Sequence, residues 1–289
     1  MKLKIIGMAF AATALCASTA FADYLNLENG GTGSFGTLAS GYGEVYFDAG
    51  PQVGTVGTGN IDSFVRLQQN GSEQGYNTSG SPLPYNEKSG IFTHDIQLSD
   101  LFVFQTPGNG IPAGDYYRFL LDINQNKTVP AFLSLDKIRI YGSATGSIHD
   151  PLSGDQLPGA TLLWDLDTAG YGCDNVHAGA ACEADAENGL KLNYALNAGS
   201  GNGYDMFLWV PVSVFAGLQS TDYVYLYSAF GELGGDFATN DGYEEWAREI
   251  TGPTDNPPPP SVPEPTSLVL LGIGLFGIAA GKRLVGKDQ

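Results

Sequence analysis

The sequence predicts an all-β body, an antiparallel β-sandwich or jelly roll. Three observations carry this. About ten short runs alternate apolar and polar residues or are continuously apolar. Clusters of Gly, Asn, Asp and Pro separate them, in a chain of 289 residues with 40 Gly and 15 Tyr. No amphipathic stretch reaches the roughly 12 residues a free-standing helix needs. The ends read differently from this body: a signal peptide over 1–22 and a single membrane-spanning helix at the other end.

In chain order, Lys2 and Lys4 precede an apolar run from Ile5 to Ala17. Ala20-Phe21-Ala22 then supplies a small-x-small cleavage site, so export and cleavage before Asp23 are expected. The body, 23–253, opens its strand series at Tyr42 to Asp48 and Ser63 to Leu67. Ile91 to Ile96, Leu101 to Phe104 and Tyr116 to Ile123 follow. Phe132 to Tyr141 reads as one alternation, with Leu133, Leu135, Lys137, Arg139 and Tyr141 on one face and Phe132, Ser134, Asp136, Ile138 and Ile140 on the other. Thr161 to Leu166, Leu190 to Leu196, Tyr204 to Val212 and Asp222 to Phe230 complete the series.

Between Asp23 and Asp255 stand eight Lys and Arg against 29 Asp and Glu, a net charge of −21. Such a surface repels phosphate backbones and excludes nucleic acid as a partner. It suits solubility outside the cell and attracts cations. Cys173 and Cys182 are the two cysteines left after signal removal, and an even pair in an exported chain implies one disulfide.

Candidate chemistry is sparse. Asp122, Asn124 and Asn126 form D-x-N-x-N, oxygen ligands at the spacing that opens a calcium loop. Lys127 stands where such a loop needs Gly, so a hairpin turn competes with calcium as the reading. Glu183, Asp185 and Glu187 form E-x-D-x-E, which on a strand would share one face. Two of these carboxylates could serve as nucleophile and acid/base on a glycosidic bond. This run resembles the catalytic signature of laminarinase-like jelly-roll glycoside hydrolases, which implies Glu183 as nucleophile, Asp185 as tuning carboxylate and Glu187 as acid/base. Flanking alanines and Asn188-Gly189 speak instead for a solvated acidic loop. Asp241-Gly242-Tyr243-Glu244-Glu245-Trp246 joins acids to aromatics, either to stack on sugar rings or as a last strand with Tyr243 and Trp246 packed inward. His94, His149 and His177 share no metal spacing, and neither G-x-S-x-G nor H-E-x-x-H occurs.

At Thr254 the composition changes. Residues 254–261 hold a polyproline spacer, Pro257 to Pro260, which can neither pair in a sheet nor continue a helix. Residues 262–289 carry Pro263-Glu264-Pro265, an apolar run from Leu268 to Ala280, then Lys282 and Arg283 as a basic stop. Gly272-Ile273-Gly274-Leu275-Phe276-Gly277 spells G-x-G-x-x-G inside that run, without the strand, helix and acidic residue of a dinucleotide site. The ordered trio of Pro263-Glu264-Pro265, apolar run and basic residues resembles the PEP-CTERM sorting domain of Gram-negative bacteria. The resemblance implies recognition by exosortase, an inner-membrane-anchored intermediate, removal of the tail, and delivery to the cell surface or an exopolysaccharide matrix. Leu120 to Asn124 and Leu133 to Tyr141, with Asp241 to Trp246 near the end, also resemble patterns in a subset of such proteins. The function expected is that of a non-enzymatic surface or matrix protein with carbohydrate or calcium binding; a surface glycoside hydrolase using Glu183 and Glu187 is the alternative.

Overall fold

A computed structural model describes residues 24–35, 44–50, 61–105, 108, 110–125, 131–167, 188–197, 204–240 and 242–250. The chain divides into two units, Met1–Ile250 and Thr251–Gln289, and the described residues all belong to the first. Among them helix is confined to 3₁₀ turns of three or four residues. The body is two large sheets packed together, numbered here by strand in chain order.

One sheet holds β1 (Tyr24–Asn26), β6 (Glu73–Tyr76), β7 (Ile96–Gln97), β10 (Phe132–Ser143), β11 (Thr161–Asp165), β12 (Gly189–Asn193) and β14 (Tyr223–Phe230). Its order is β1-β12-β10-β14-β6, with β11 also on β10 and β7 also on β14. The other holds β2 (Gly31–Phe35), β3 (Val45–Ala49), β4 (Ile61–Leu67), β8 (Val103–Gln105), β9 (Asp115–Asp122), β13 (Met206–Pro211) and β16 (Glu244–Glu249). Its order is β2-β3-β13-β9-β16-β4, with β8 on β9. A short ribbon pairs β5 (Asn70–Gly71) with β15 (Thr239–Asn240). Among the described residues pairing is antiparallel except between β1 and β12.

The period-two pattern decides which side chains meet between the sheets. From β9, Tyr117, Phe119 and Leu121 enter the common core, and from β13 Met206, Leu208 and Val210 join them. Leu133, Leu135, Ile138, Ile140, Leu190, Leu192, Val224 and Leu226 answer from the first sheet. Trp246 is fully buried there, its indole N–H donating to Ser228 Oγ at 3.0 Å.

β10 corrects the simple alternation. Leu135 opposes Phe230 and Lys137 opposes Ala229, so Asp136 is an extra residue, a β-bulge. Leu133 and Leu135 face the core before it, Ile138 and Ile140 after it. Without the bulge one face would have to bury Lys137 and Arg139 beside two leucines. Ile91 to Ile96 is a second correction: only Ile96–Gln97 pairs, and Ile91 is 80% exposed in a turn.

Candidate functional site

β4 leaves the second sheet at Leu67, the chain turns through Gln69 and β5, and β6 enters the first sheet at Glu73. This corner encloses a cleft of about 350 Å³ lined by Gln69, Glu73, Gln74, Tyr85, Asn86 and Glu232, with Ser72 and Pro84 at its sides.

Asn86 braces the cleft. Its N–H donates to Gln74 O at 3.1 Å, its Oδ1 accepts from Gln74 N–H at 3.0 Å, and its carbonyl accepts from Gln68 N–H at 3.2 Å. Its side-chain amide donates to Gln69 Oε1. Tyr227 donates its hydroxyl to Gln74 Oε1 at 2.5 Å. Tyr85 packs edge-to-face against Tyr76 and Tyr227, and its hydroxyl accepts from Leu152 N–H at 2.6 Å, so its ring is held at the cleft. Glu232 pairs with Lys137 at 2.8 Å, while its N–H donates to Asp136 at 2.7 Å. The lining is amide, carboxylate and one fixed ring. Such groups offer paired donors and acceptors to vicinal hydroxyls.

A carboxyl pair lies at the floor. Glu73 is 2% exposed and accepts from Gln69 N–H at 2.6 Å. Glu244, fully buried on β16, hydrogen-bonds Glu73. Asn124 N–H and Gln125 Nε2 each donate to Glu244 Oε1 at 3.5 Å. Burial, then the bond and charge of Glu73, push the Glu244 carboxyl well above the ordinary range, against the Asn124 N–H.

The sequence-predicted residues are distributed as follows. Asp122 closes β9 opposite Glu245 and accepts a hydrogen bond from Asp205, which itself accepts from Ile123 N–H at 2.8 Å. Burial raises the Asp205 carboxyl, the Ile123 N–H opposes this, and the Asp122 charge adds to the rise. Asn124 contributes its backbone N–H to Glu244, and Asn126 lies outside the described residues. Among the described residues no group of three or more His, Cys, Asp and Glu is arranged to hold a metal ion. Cys173, Cys182, Glu183, Asp185 and Glu187 also lie outside the described residues. The chain on either side is pinned together, because Asn188 N–H donates to Asp167 Oδ1 at 3.1 Å. Burial, with Asp165 beside it, lifts the Asp167 carboxyl to about 7 against the pull of Arg139.

The Asp241 to Trp246 segment splits between its two readings. Trp246 is core, whereas Tyr243 is 40% exposed. The Tyr243 ring lies 4.9 Å from the Arg66 guanidinium, which also covers Phe92 at 3.5 Å and pairs with Glu245. His94 bonds Asp62 at 3.3 Å and Ile91 O at 3.1 Å, and His149 bonds Ser147 O at 2.9 Å, which are structural contacts. On the outer side of the second sheet Arg118 sits under Phe104, Phe207 and Trp209 at 4.3 to 5.0 Å. That cluster is closed, with Trp209 only 2% exposed. Glu244 lies in a segment the sequence singled out, whereas Glu73, Gln74, Asn86 and Glu232 do not. These carry no local motif, and only the fold brings them together.

Beyond the body, residues 261–283 match the family model of the PEP-CTERM protein-sorting motif. The chain is marked as an exosortase substrate. Pro263, Glu264, Pro265, Lys282 and Arg283 all fall inside the match. This exosortase substrate is therefore an exported, membrane-sorted protein. Among the described residues no helix is long and apolar enough to cross a membrane; residues 1–22, expected to be a signal peptide, and the sorting segment lie outside them. The chain matches no curated protein and no solved structure.

Proposed function

We propose that this exosortase substrate is a non-enzymatic protein of the cell surface or exopolysaccharide matrix, whose jelly-roll-like body binds polysaccharide in the Gln74–Asn86 cleft. Export supports the location, since the sorting motif marks the chain as an exported exosortase substrate. One observation carries the ligand class: a cleft of about 350 Å³ that combines two glutamine amides, an asparagine amide, two carboxylates and a fixed tyrosine. Hydroxyl-rich ligands need such hydrogen-bonding pairs, with an apolar ring face beside them. A body carrying −21 charges disfavours anionic polymers, so the ligand is a neutral glycan.

The two floor carboxyls are not spaced as a glycosidase pair. Glu73 and Glu244 are in direct hydrogen-bond contact. A nucleophile and acid/base flanking a glycosidic bond stand at least about 5 Å apart.

An array of neutral and charged glycans, probed with the mature protein, tests this. Binding to neutral polymers is expected, weakened at least about fivefold in Glu232→Ala. A folded protein that binds no glycan, or binds equally well without Glu232, overturns the reading.

A further inference from the structure

The corner beneath the cleft joins the sheets through acids as well as through the chain. Glu73 stands on β6 of the first sheet and Glu244 on β16 of the second, 2% and 0% exposed. Glu244 hydrogen-bonds Glu73 across the corner, and its Oε2 is buried with no other hydrogen-bond partner. Two ionised carboxylates in contact and out of water repel strongly, so the contact requires a proton. We propose that Glu73 and Glu244 hold one proton between the two sheets, and that its loss at alkaline pH opens the cleft floor, making polysaccharide binding proton-linked. The binding half rests on the reading of the cleft above; the shared proton does not.

The surrounding groups favour one charge and resist two. From the chain after β9 come the Asn124 N–H and the Gln125 amide, and from the turn after β4 the Gln69 N–H. Two of them serve Glu244 Oε1 and one serves Glu73 Oε2, and none reaches Glu244 Oε2. Asp122, at the end of β9, adds a further negative charge against Glu244. Glu87, opposite Leu67, is 7% exposed and is occupied by the Tyr76 and Tyr85 N–H groups. On the cleft wall Lys137 is engaged by Glu232. Alongside on β4 and β16, Arg66 is engaged by Glu245. Glu73 lines the cleft, so an ionised pair draws water in through that floor. The sign follows from a carboxyl whose folded-state affinity for protons is raised. Its stabilisation is full below the ordinary glutamate range and is lost as pH rises through the folded value.

Unfolding temperatures of the mature protein from about pH 5 to about pH 9 test the pair, in wild type, Glu244→Gln and Glu73→Gln. Glutamine keeps the shape and the hydrogen bond but holds no proton to lose. Wild type is expected to lose more stability across this range than either variant. Asp167 and Asp205 also titrate upward, but they are present in all three proteins and cancel in the difference. Equal slopes in all three overturn the shared proton. Should neither variant fold, carbon-13 labelling of the glutamate carboxyls in wild type decides. A glutamate protonated above neutrality and coupled to a second supports the pair; ordinary titration of every glutamate overturns it. Glycan affinity is expected to fall at least about threefold from the acid to the alkaline end in wild type and to stay flat in Glu244→Gln. Affinity that ignores pH in wild type removes the linkage. An empty array with the stability difference intact rejects the ligand reading and leaves the shared proton standing.

Discussion

Asp136 is the extra residue of β10, and its carboxyl gathers three donors from three parts of the chain. Tyr24 OH donates at 2.9 Å, Ser134 Oγ at 3.0 Å and Glu232 N–H at 2.7 Å. The residue is 4% exposed, so these bonds replace water almost completely. Burial raises its pKa while the three donors pull it down. Asp136→Ala leaves all three donors without an acceptor and is expected to cost about 3 kcal/mol in urea unfolding. Glu232 reaches the cleft from the turn that Asp136 fixes, so glycan binding should weaken with it. Undiminished stability would mean that the bulge holds without its carboxylate. The sequence showed none of this. In a strand read by alternation Asp136 is merely one polar residue, and two of its three donors come from Tyr24 and from the turn after β14.

At the scale of elements, β16 shows what the sequence disclosed and what it hid. An acid-rich segment with Tyr243 and Trp246 was legible as either a strand or a sugar platform. Trp246 is core because the alternate positions Glu244 and Trp246 point inward, and its N–H finds Ser228 Oγ in the facing sheet. Glu244 shares that inward face, which no propensity scale anticipates for a glutamate. Its partner lies on β6, brought near only by the crossing of the chain from sheet to sheet. The entry to β16 depends on a close approach of backbones. A Cβ at Gly242 would collide with the Asn124 carbonyl, and Asn124 N–H is itself a donor to Glu244. Gly242→Ala is therefore expected to cost 3 kcal/mol or more, roughly the range of backbone-displacing substitutions. Gly217→Ala, where an added Cβ meets nothing within 4 Å, should stay within about 0.5 kcal/mol. Urea midpoints of the two variants measure this; similar values would deny the close approach its role.

At the scale of the whole molecule the two units were legible to very different degrees. The β class could be read because strand periodicity is local, and the two packed sheets follow from it. Sheet order, the bulge and the cleft could not, because they depend on pairings such as β1 with β12 and β6 with β14. The sorting segment was fully legible, because a membrane peptidase must recognise it as linear sequence. Its signals are all local in sequence: Pro263 and Pro265, which bar regular pairing, then an apolar run, then Lys282 and Arg283. Thirteen residues from Leu268 to Ala280 fall short of the roughly 20 that a permanent span requires. A segment that holds the chain only until it is cut can be this short. In cells with exosortase, mass spectrometry of the mature protein should find no peptide reaching Gln289. Replacing Pro263, Glu264 and Pro265 by alanine should restore that peptide and hold the acidic body in the membrane fraction. An uncut chain in both proteins would show that the match to the motif does not lead to processing.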